Sequence, residues 1–99
     1  LIPNSVKSIG NYAFEDCRCL KSVIIGKNVK NIGEYAFQCC KELASVTIPK
    51  SITTINYNAF EDCSKLTDIY YSGSKANKAK ISRNFRLIFA FGEKIYKNI

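Results

Sequence analysis

The sequence predicts an α/β solenoid of about three stacked coils, followed by a C-terminal cap. One observation is a repeat with a fixed period of 23 residues, in which IGNYAFEDCRCL returns as IGEYAFQCCKEL and INYNAFEDCSKL. The second is the apolar alternation of segments such as ASVTIP. A single repeat of this length cannot bury its apolar face, so the copies are expected to stack and share one core.

The first element of each coil is predicted to be a parallel strand. Leu20, Val23 and Ile25 follow the spacing L-x-x-L-x-L, which is the strand signature of leucine-rich repeats. Because side chains alternate across a strand, Val23 and Ile25 face the interior, whereas Ser22 and Ile24 face outward. The later copies extend the two outward positions into two columns. One column consists of Ser22, Ser45 and Asp68, and the other of Ile24, Thr47 and Tyr70.

After this strand, each coil is predicted to turn and extend again. The turn follows Gly26 in the second copy, and the next segment directs Ile9 and its equivalents inward. Gly10 and Gly33 then interrupt the segment. Asn56 takes their place in the third copy, where it is a tolerable substitute if a positive φ is needed.

The motif NYAFEDC is predicted to form one or two helical turns that complete the coil. Ala13, Phe14 and Cys17 have i, i+3 and i, i+4 spacing, which places them on one side of a helix. Phenylalanine recurs in every copy, so offset rings are expected to stack from coil to coil at the centre of the core. The three rings belong to Phe14, Phe37 and Phe60.

Residues 1–71 resemble the BspA-like, or Treponema pallidum-type, leucine-rich repeat family, whose unit is similar to L-x-x-I-x-I-P-x-x-V-x-x-I-G-x-x-A-F-x-x-C-x-x. The chain departs from this unit at Gly26, Asn56 and Tyr71, where the family has proline, glycine and isoleucine. LTDIYYSGSKANKAKI resembles the closing unit of such arrays, in which Y-x-G-[ST] leads into a short helix. The resemblance implies a cell-surface or secreted protein of bacteria or some protists that binds host or matrix components. It implies no catalytic residue.

Residues 72–99 are predicted to form a capping segment beside a repeat domain over residues 1–71. Ser74 is a suitable N-cap for a helix from Lys75 to Ser82. RLIFAF then predicts a strand, and EKIYKNI predicts a final short strand or a loose end. A cap is expected because an open coil leaves apolar residues and strand edges uncovered.

The capping segment carries most of the net charge. The whole chain has 15 basic and 8 acidic residues, a formal net charge of +7 at pH 7, and the only acidic residue after position 71 is Glu93. This basic tail is either the solvated face of the cap or a site for an acidic polymer, whether nucleic acid, heparin-like glycan or teichoic acid. KANKAKISR has no aromatic residue among its charges. We expect no nucleic-acid partner.

The chain has no segment suited to a membrane span. LIFAF is its longest candidate, far short of the roughly 20 apolar residues that a span requires. Membrane insertion by this chain is therefore not expected. Leu1 begins inside a strand motif, so we expect the chain to be the C-terminal piece of a longer array.

The five cysteines allow three interpretations. Cys17, Cys40 and Cys63 recur in step, and most simply form a column of small buried thiols. Neighbouring coils are close enough for a disulfide by Cα separation, although parallel Cβ vectors would strain it. Cys19 and Cys39 lie outside this column and are expected to be more exposed and, if any thiol is, redox-active. A zinc site would require four of these sulfurs to converge tetrahedrally.

Catalysis is not expected. The chain has no histidine, so a His general base and the usual Cys/His zinc ligands are both unavailable. The sequence has no nucleophile elbow, no phosphate-binding loop and no clustered carboxylate pair. Glu15, Asp16, Glu61 and Asp62 recur at positions expected to face solvent. We expect no cofactor and no metal.

The outward strand face is the candidate binding site. Repeat solenoids bind through such extended surfaces, but a merely hydrated sheet face has the same variable residues between fixed core columns. Tyr70 is the favoured contact, because Tyr is enriched in interface hot spots. Tyr12 and Tyr35 form a second exposed aromatic pair. The candidates on the face and its border are Ser22, Ile24, Lys27, Ser45, Thr47, Lys50, Asp68 and Tyr70.

Two functions are consistent with these features. The first is a monomeric, non-enzymatic module of a cell-surface or secreted protein that adheres to a host or matrix protein or glycan through the sheet face. The alternative is a structural stalk that presents another domain and binds nothing itself.

Overall fold

The computed structural model describes residues 1–56, 58–74 and 96–97. Strand pairs within these ranges are all parallel. In chain order the strands are β1 (Ser8–Ile9), β2 (Ser22–Ile24), β3 (Asn31–Ile32), β4 (Ser45–Ile48), β5 (Thr54–Ile55), β6 (Asp68–Tyr71) and β7 (Tyr96–Lys97). They form two sheets, one with the order β1-β3-β5 and the other with the order β2-β4-β6-β7.

The repeat period of the sequence is also the pairing register of both sheets. Ser22 pairs with Ser45, and Asn31 pairs with Thr54, each at an offset of 23 residues. Each coil therefore contributes one strand to each sheet, and successive coils stack with equivalent residues side by side. The predicted solenoid of parallel coils is confirmed.

The interior consists of columns of equivalent apolar residues. Phe37 is fully buried, and its ring lies 5.1 Å from that of Phe14 and 5.0 Å from that of Phe60, centroid to centroid, in stacked arrangements. The predicted phenylalanine column is thus confirmed. Beside it, the buried thiols of Cys40 and Cys63 donate hydrogen bonds to the Phe14 and Phe37 carbonyls, at 3.2 and 3.0 Å.

The predicted short helix is wrong for the residues that the structure describes, which contain strands and turns but no helix. The reason is a left-handed backbone conformation within the NYAFEDC motif. Tyr12 and Asp16 have φ of 61° and 62°, and Tyr35 and Cys39 have φ of 54° and 60°. A positive φ disfavours an L-residue with a side chain and cannot continue a right-handed helix. The α part of the predicted α/β class is therefore not observed.

The turns of the NYAFEDC motif and its counterparts, residues 11–17, 34–40 and 58–63, are here called the turn arc. In the first coil, alternate N–H groups of the turn arc have different partners. The N–H groups of Ala13 and Cys17 bond to carbonyls three residues back, at 3.3 Å in both cases. Those of Phe14 and Asp16 instead donate to the Ala36 and Gln38 carbonyls of the next coil, at 2.7 and 2.8 Å. A helix would have turned these donors inward along its own axis. The arc is therefore a third line of hydrogen bonds between coils.

The glycines that precede the arc have a different role from the one predicted. Neither Gly10 nor Gly33 has a positive φ; the strained positions come two residues later, at Tyr12 and Tyr35. Gly33 is instead a point of close approach, because an added Cβ would overlap Asn11 and lie 2.9 Å from the Gly10 carbonyl carbon. Glycine is needed there for inter-coil spacing.

The C-terminal segment contributes the last strand of the larger sheet. β7 pairs with β6 and places Tyr96 beside Ile69, an offset of 27 residues, which is longer than the repeat period. A strand within EKIYKNI is therefore confirmed. The predicted helix from Lys75 to Ser82 and the strand in RLIFAF lie outside the described residues, and the boundary at residue 71 stays a prediction.

Candidate functional site

The outward face of the β2-β4-β6 sheet brings the predicted binding residues into two straight columns. Ser22 pairs with Ser45 and Ser45 with Asp68, while Ile24 pairs with Thr47 and Thr47 with Tyr70. Neighbouring strands are about 4.8 Å apart, so each column presents one side chain at that interval. The register aligns these six residues in the two predicted columns, and their role in binding stays a prediction.

Exposure on this face is greatest at β2. Ser22 is exposed and the side chain of Ile24 is 50% exposed, because β2 lies at an edge of the sheet. The corresponding residues of β4 and β6 are half-buried by their neighbours. Exposed apolar surface such as that of Ile24 is where a protein partner gains most from desolvation. No described element covers the face.

Lys27 and Lys50 lie beyond the strands, not on the face itself. Each occupies the second position of a tight turn, closed by a hydrogen bond from the Val29 N–H to the Gly26 carbonyl and by its counterpart in the third coil. Both lysines are exposed. The structure places Lys7 and Lys30 on the same side of the solenoid, and the sequence analysis did not select them; their recurrence at the 23-residue period was the available signal.

Asn58 is a further residue that the sequence analysis did not select. It is the single buried polar residue in the described part of the chain, 6% exposed, and its Oδ1 accepts a hydrogen bond from the Tyr35 N–H at 3.2 Å. At the preceding interface the Tyr12 N–H donates to the Glu34 backbone carbonyl instead. The side chain of Asn58 thus serves as an acceptor in the hydrogen-bond line. A polar residue in a column of tyrosines was the signal for this role.

The predicted tyrosine pair is stacked. The rings of Tyr12 and Tyr35 have centroids 5.3 Å apart and an interplanar angle of 15°. Tyr12 is 51% exposed and Tyr35 is half-buried. Both residues have a left-handed backbone conformation.

All five cysteines are free thiols. The column interpretation is confirmed for Cys40 and Cys63, which are buried, whereas Cys17 is half-buried in the first coil. Cys19 is exposed as predicted. Cys39 is half-buried, with its Sγ 3.8 Å from Asp62 Oδ2.

The environment of these thiols favours their protonated form. Burial raises the pKa of the Cys63 thiol to about 12, with a smaller contribution from the neighbouring Cys40. Burial likewise raises the pKa of Cys40, while the Cys17 backbone opposes the shift. At Cys39, desolvation raises the thiol pKa, Lys41 opposes it and Asp62 reinforces it. Reactive thiols generally have a lowered pKa, so none of these three has the environment of a nucleophile.

Neither a metal centre nor a membrane span is found in the described ranges. No group of three or more Cys, Asp or Glu side chains converges there in a way that could hold a metal ion. No helix in residues 1–56, 58–74 and 96–97 has the length and apolarity to cross a bilayer.

An apolar cleft of about 370 Å³ opens beside the first coil. Its lining includes Ile2, Val6, Phe14, Leu20 and Val23, which belong to the interior columns of the solenoid. The cleft is therefore the exposed cross-section of the stack at its first coil, not a pocket with converging polar groups.

Comparison with known proteins identifies the repeat. The family described as the BspA type leucine-rich repeat region (6 copies) matches residues 1–86 of the 99-residue chain. No curated protein and no solved structure matches the chain. The family match covers the three coils and extends beyond residue 71, in agreement with the 23-residue columns and the parallel stacking described above. The chain belongs to the BspA type leucine-rich repeat family.

Proposed function

We propose that the chain is a non-enzymatic binding module of a cell-surface or secreted protein, and that it adheres to a host or matrix protein through the outward face of β2, β4 and β6. The observation that carries this proposal is the register of the outward columns: each coil adds one pair of variable side chains to a flat, uncovered surface within the described residues. Repeat proteins of this architecture commonly bind through such extended surfaces.

The composition of the face suits a protein partner. Ile24 and Tyr70 supply apolar and aromatic surface at opposite sides of the face, and Thr47 lies between them. Ser22 and Ser45 add hydroxyl groups that can donate and accept hydrogen bonds. Aromatic side chains with a polar rim are the usual composition of a binding hot spot.

The test is label-free binding of the chain to a panel of purified matrix proteins at low and high salt. A variant with Ser22→Gln, Ser45→Gln and Tyr70→Ala alters both columns. Its matched control carries Ser8→Gln, Ser64→Gln and Tyr12→Ala, which make the same chemical changes at exposed residues away from the face. Saturable binding that persists in high salt and weakens about tenfold or more only in the first variant supports the proposal.

A structural scaffold is the second candidate. It is favoured by the three lines of hydrogen bonds that join every coil to the next, because they make the stack a stiff spacer. In that case the original chain and both variants bind no member of the panel. Equal weakening by the two variants would also count against a site on the sheet face.

A further inference from the structure

The ionic residues of the three coils are segregated to opposite sides of the solenoid. One side, here called the basic arc, consists of residues 1–8, 26–31 and 49–54, which connect the larger sheet to the smaller one. It holds four lysines and no acidic residue: Lys7, Lys27, Lys30 and Lys50. The other connection, residues 10–20, 33–43 and 56–66, holds six acidic and three basic residues. The near-neutral repeat region therefore has one strongly basic side.

The lysines of the basic arc lie in like-charged columns. Lys30 is the equivalent of Lys7 in the next coil, and its N–H donates to the Lys7 carbonyl at 2.9 Å. Lys50 is likewise the equivalent of Lys27. Like charges at equivalent positions of stacked coils repel one another, so this arrangement has a cost in the free protein.

On the opposite side the acidic residues avoid that cost, although Arg18 and Lys41 form a like-charged pair at equivalent positions there. In its columns a neutral residue separates the acids, as in Glu15, Gln38, Glu61 and in Asp16, Cys39, Asp62. Its equivalent positions also form attractive pairs, such as Lys65 with Glu42 at 2.9 Å. Among the described residues, no lysine of the basic arc is in an ion pair.

The backbone beneath these lysines is held in place. The Lys27 N–H donates to Asn4 Oδ1 at 3.3 Å, and Asn28 Nδ2 donates to the Asn4 carbonyl at 2.7 Å. The Lys30 carbonyl accepts hydrogen bonds from the N–H and the hydroxyl of Thr53, at 2.8 and 3.1 Å. Hydrogen bonds between neighbouring coils therefore hold the backbone at Lys27 and Lys30.

We propose that the basic arc binds a linear sulfated polysaccharide along the solenoid axis. Lysine ammonium groups attract sulfate and uronate groups as point charges, and binding would relieve the repulsion within each lysine column. The charges are spread over three coils and converge on no pocket, which suits an extended polymer and not a small anion. The exposed amides of Asn4 and Asn28 and the hydroxyl of Thr53 can bond to sugar hydroxyl groups.

A glycan fits this surface better than a nucleic acid. Single-stranded nucleic acids are held by aromatic side chains on which their bases stack, and the basic arc contains no Phe, Tyr or Trp in its sequence. The proposed site is separate from the sheet face, although Lys27 and Lys50 lie at its border. It also differs from the basic tail, which lies after residue 71.

The experiment measures the affinity of the chain for heparin oligosaccharides over a series of salt concentrations. A variant with Lys7→Gln, Lys27→Gln, Lys30→Gln and Lys50→Gln removes the site. Its control carries Arg18→Gln, Lys21→Gln, Lys41→Gln and Lys65→Gln, which remove the same charge elsewhere on the repeats. We expect the first variant to bind about tenfold more weakly or worse and with a shallower salt dependence, because fewer counterions are released, and the control to change little.

Three further measurements make the proposal falsifiable. Without heparin, the basic-arc variant should unfold at a higher urea concentration than the original chain, which also shows that it folds. The sheet-face variant, with Ser22→Gln, Ser45→Gln and Tyr70→Ala, should retain heparin binding. The test of the glycan site is therefore independent of the test of the sheet face. No heparin binding, equal weakening in the two charge variants, or tighter binding to double-stranded DNA of matched length would each overturn the proposal.

Discussion

Tyr71 ends the last repeat strand with a buried polar group. It stands where the earlier coils have Ile25 and Ile48, and it is completely buried, with a hydroxyl that has no hydrogen-bond partner among the residues that the structure describes. An added Cβ at Gly73 would overlap the ring and hydroxyl of Tyr71. This contact gives a physical reason for the spacing Y-x-G at the end of the array: the larger side chain requires a glycine two residues later.

Replacement of Tyr71 by Phe is expected to stabilise the chain by about 1 kcal/mol, because it removes an unsatisfied buried hydroxyl and retains the ring. Equilibrium urea unfolding would measure the change. Tyr12→Phe is the control, since it removes the same hydroxyl from an exposed tyrosine. Destabilisation by Tyr71→Phe would show that the hydroxyl has a partner in the folded protein.

The buried Cys63 thiol predicts a loss of stability in alkaline solution. Its pKa is about 12 in the folded chain, against an ordinary 9.0. Above pH 9.0 the thiol ionises in the unfolded chain but stays protonated in the folded one, so the unfolded state binds fewer protons. The free energy of unfolding should therefore fall as pH rises from 9.0 towards 12, by on the order of 1 kcal/mol per pH unit.

Urea unfolding under reducing conditions between about pH 8 and 11 tests this dependence. Cys63→Ala should make the decline shallower, and Cys19→Ala, which replaces a thiol that is exposed in the folded chain, is the matched control. Slopes are the quantity to compare, since Cys63→Ala also removes the hydrogen bond to the Phe37 carbonyl. Identical slopes in all three proteins would contradict the assignment.

At the level of elements, the strands were predicted correctly, but the turn arc was predicted incorrectly as a short helix. The alternation of Val23 and Ile25 with outward residues is local, and it determines which way each side chain points. The spacing of Ala13, Phe14 and Cys17 also fits a helix, but it cannot reveal that the Phe14 N–H donates to Ala36 in another coil. Hydrogen bonds between coils decide the conformation of the arc, and a local pattern does not encode them.

The two glycines that precede the turn arc, Gly10 and Gly33, should respond differently to replacement by alanine. The methyl group of Gly33→Ala would push the backbone of Gly10 and Asn11 away from the second coil. We expect a destabilisation of about 1–3 kcal/mol. Gly10→Ala places its methyl group in open space and should be neutral, or stabilising by about 0.5 kcal/mol through the unfolded chain. Thermal or urea unfolding of the two variants gives the comparison. Equal effects would mean that the coils can separate at Gly33 without cost.

At the scale of the whole molecule, the phenylalanine column couples the three coils. Phe37→Ala removes the central ring, which contacts a ring on either side, and should cost roughly 3–5 kcal/mol. That is a large fraction of the stability of a domain of this size. Phe14→Ala should cost less, because Phe14 is half-buried and stacks on one side only.

Urea unfolding followed by both far-ultraviolet circular dichroism and tyrosine fluorescence would measure these costs. Coincident transitions are expected, since every coil shares one core. Equal costs for the two variants would indicate that the coils contribute independently.

The candidate surfaces could be predicted only in part. The outward columns follow from alternation and period, so Ser45 and Thr47 were placed correctly. The basic arc was not recognised, because its four lysines are distributed over three repeats and come together only when the coils stack. Net charge also concealed it, since acidic residues on the opposite side balance these lysines.

The Asn58 hydrogen bond makes the order of the coils matter. Tyr35 in the second coil donates its N–H to a side chain that only the third coil supplies, whereas Tyr12 needs only a backbone carbonyl. If the second coil were duplicated, Tyr35 of the first duplicate could donate its N–H to the Glu34 carbonyl of the second duplicate, as Tyr12 now donates to Glu34. The array could therefore lengthen by internal duplication of the second coil, and the third coil would keep its position next to the C-terminal strand.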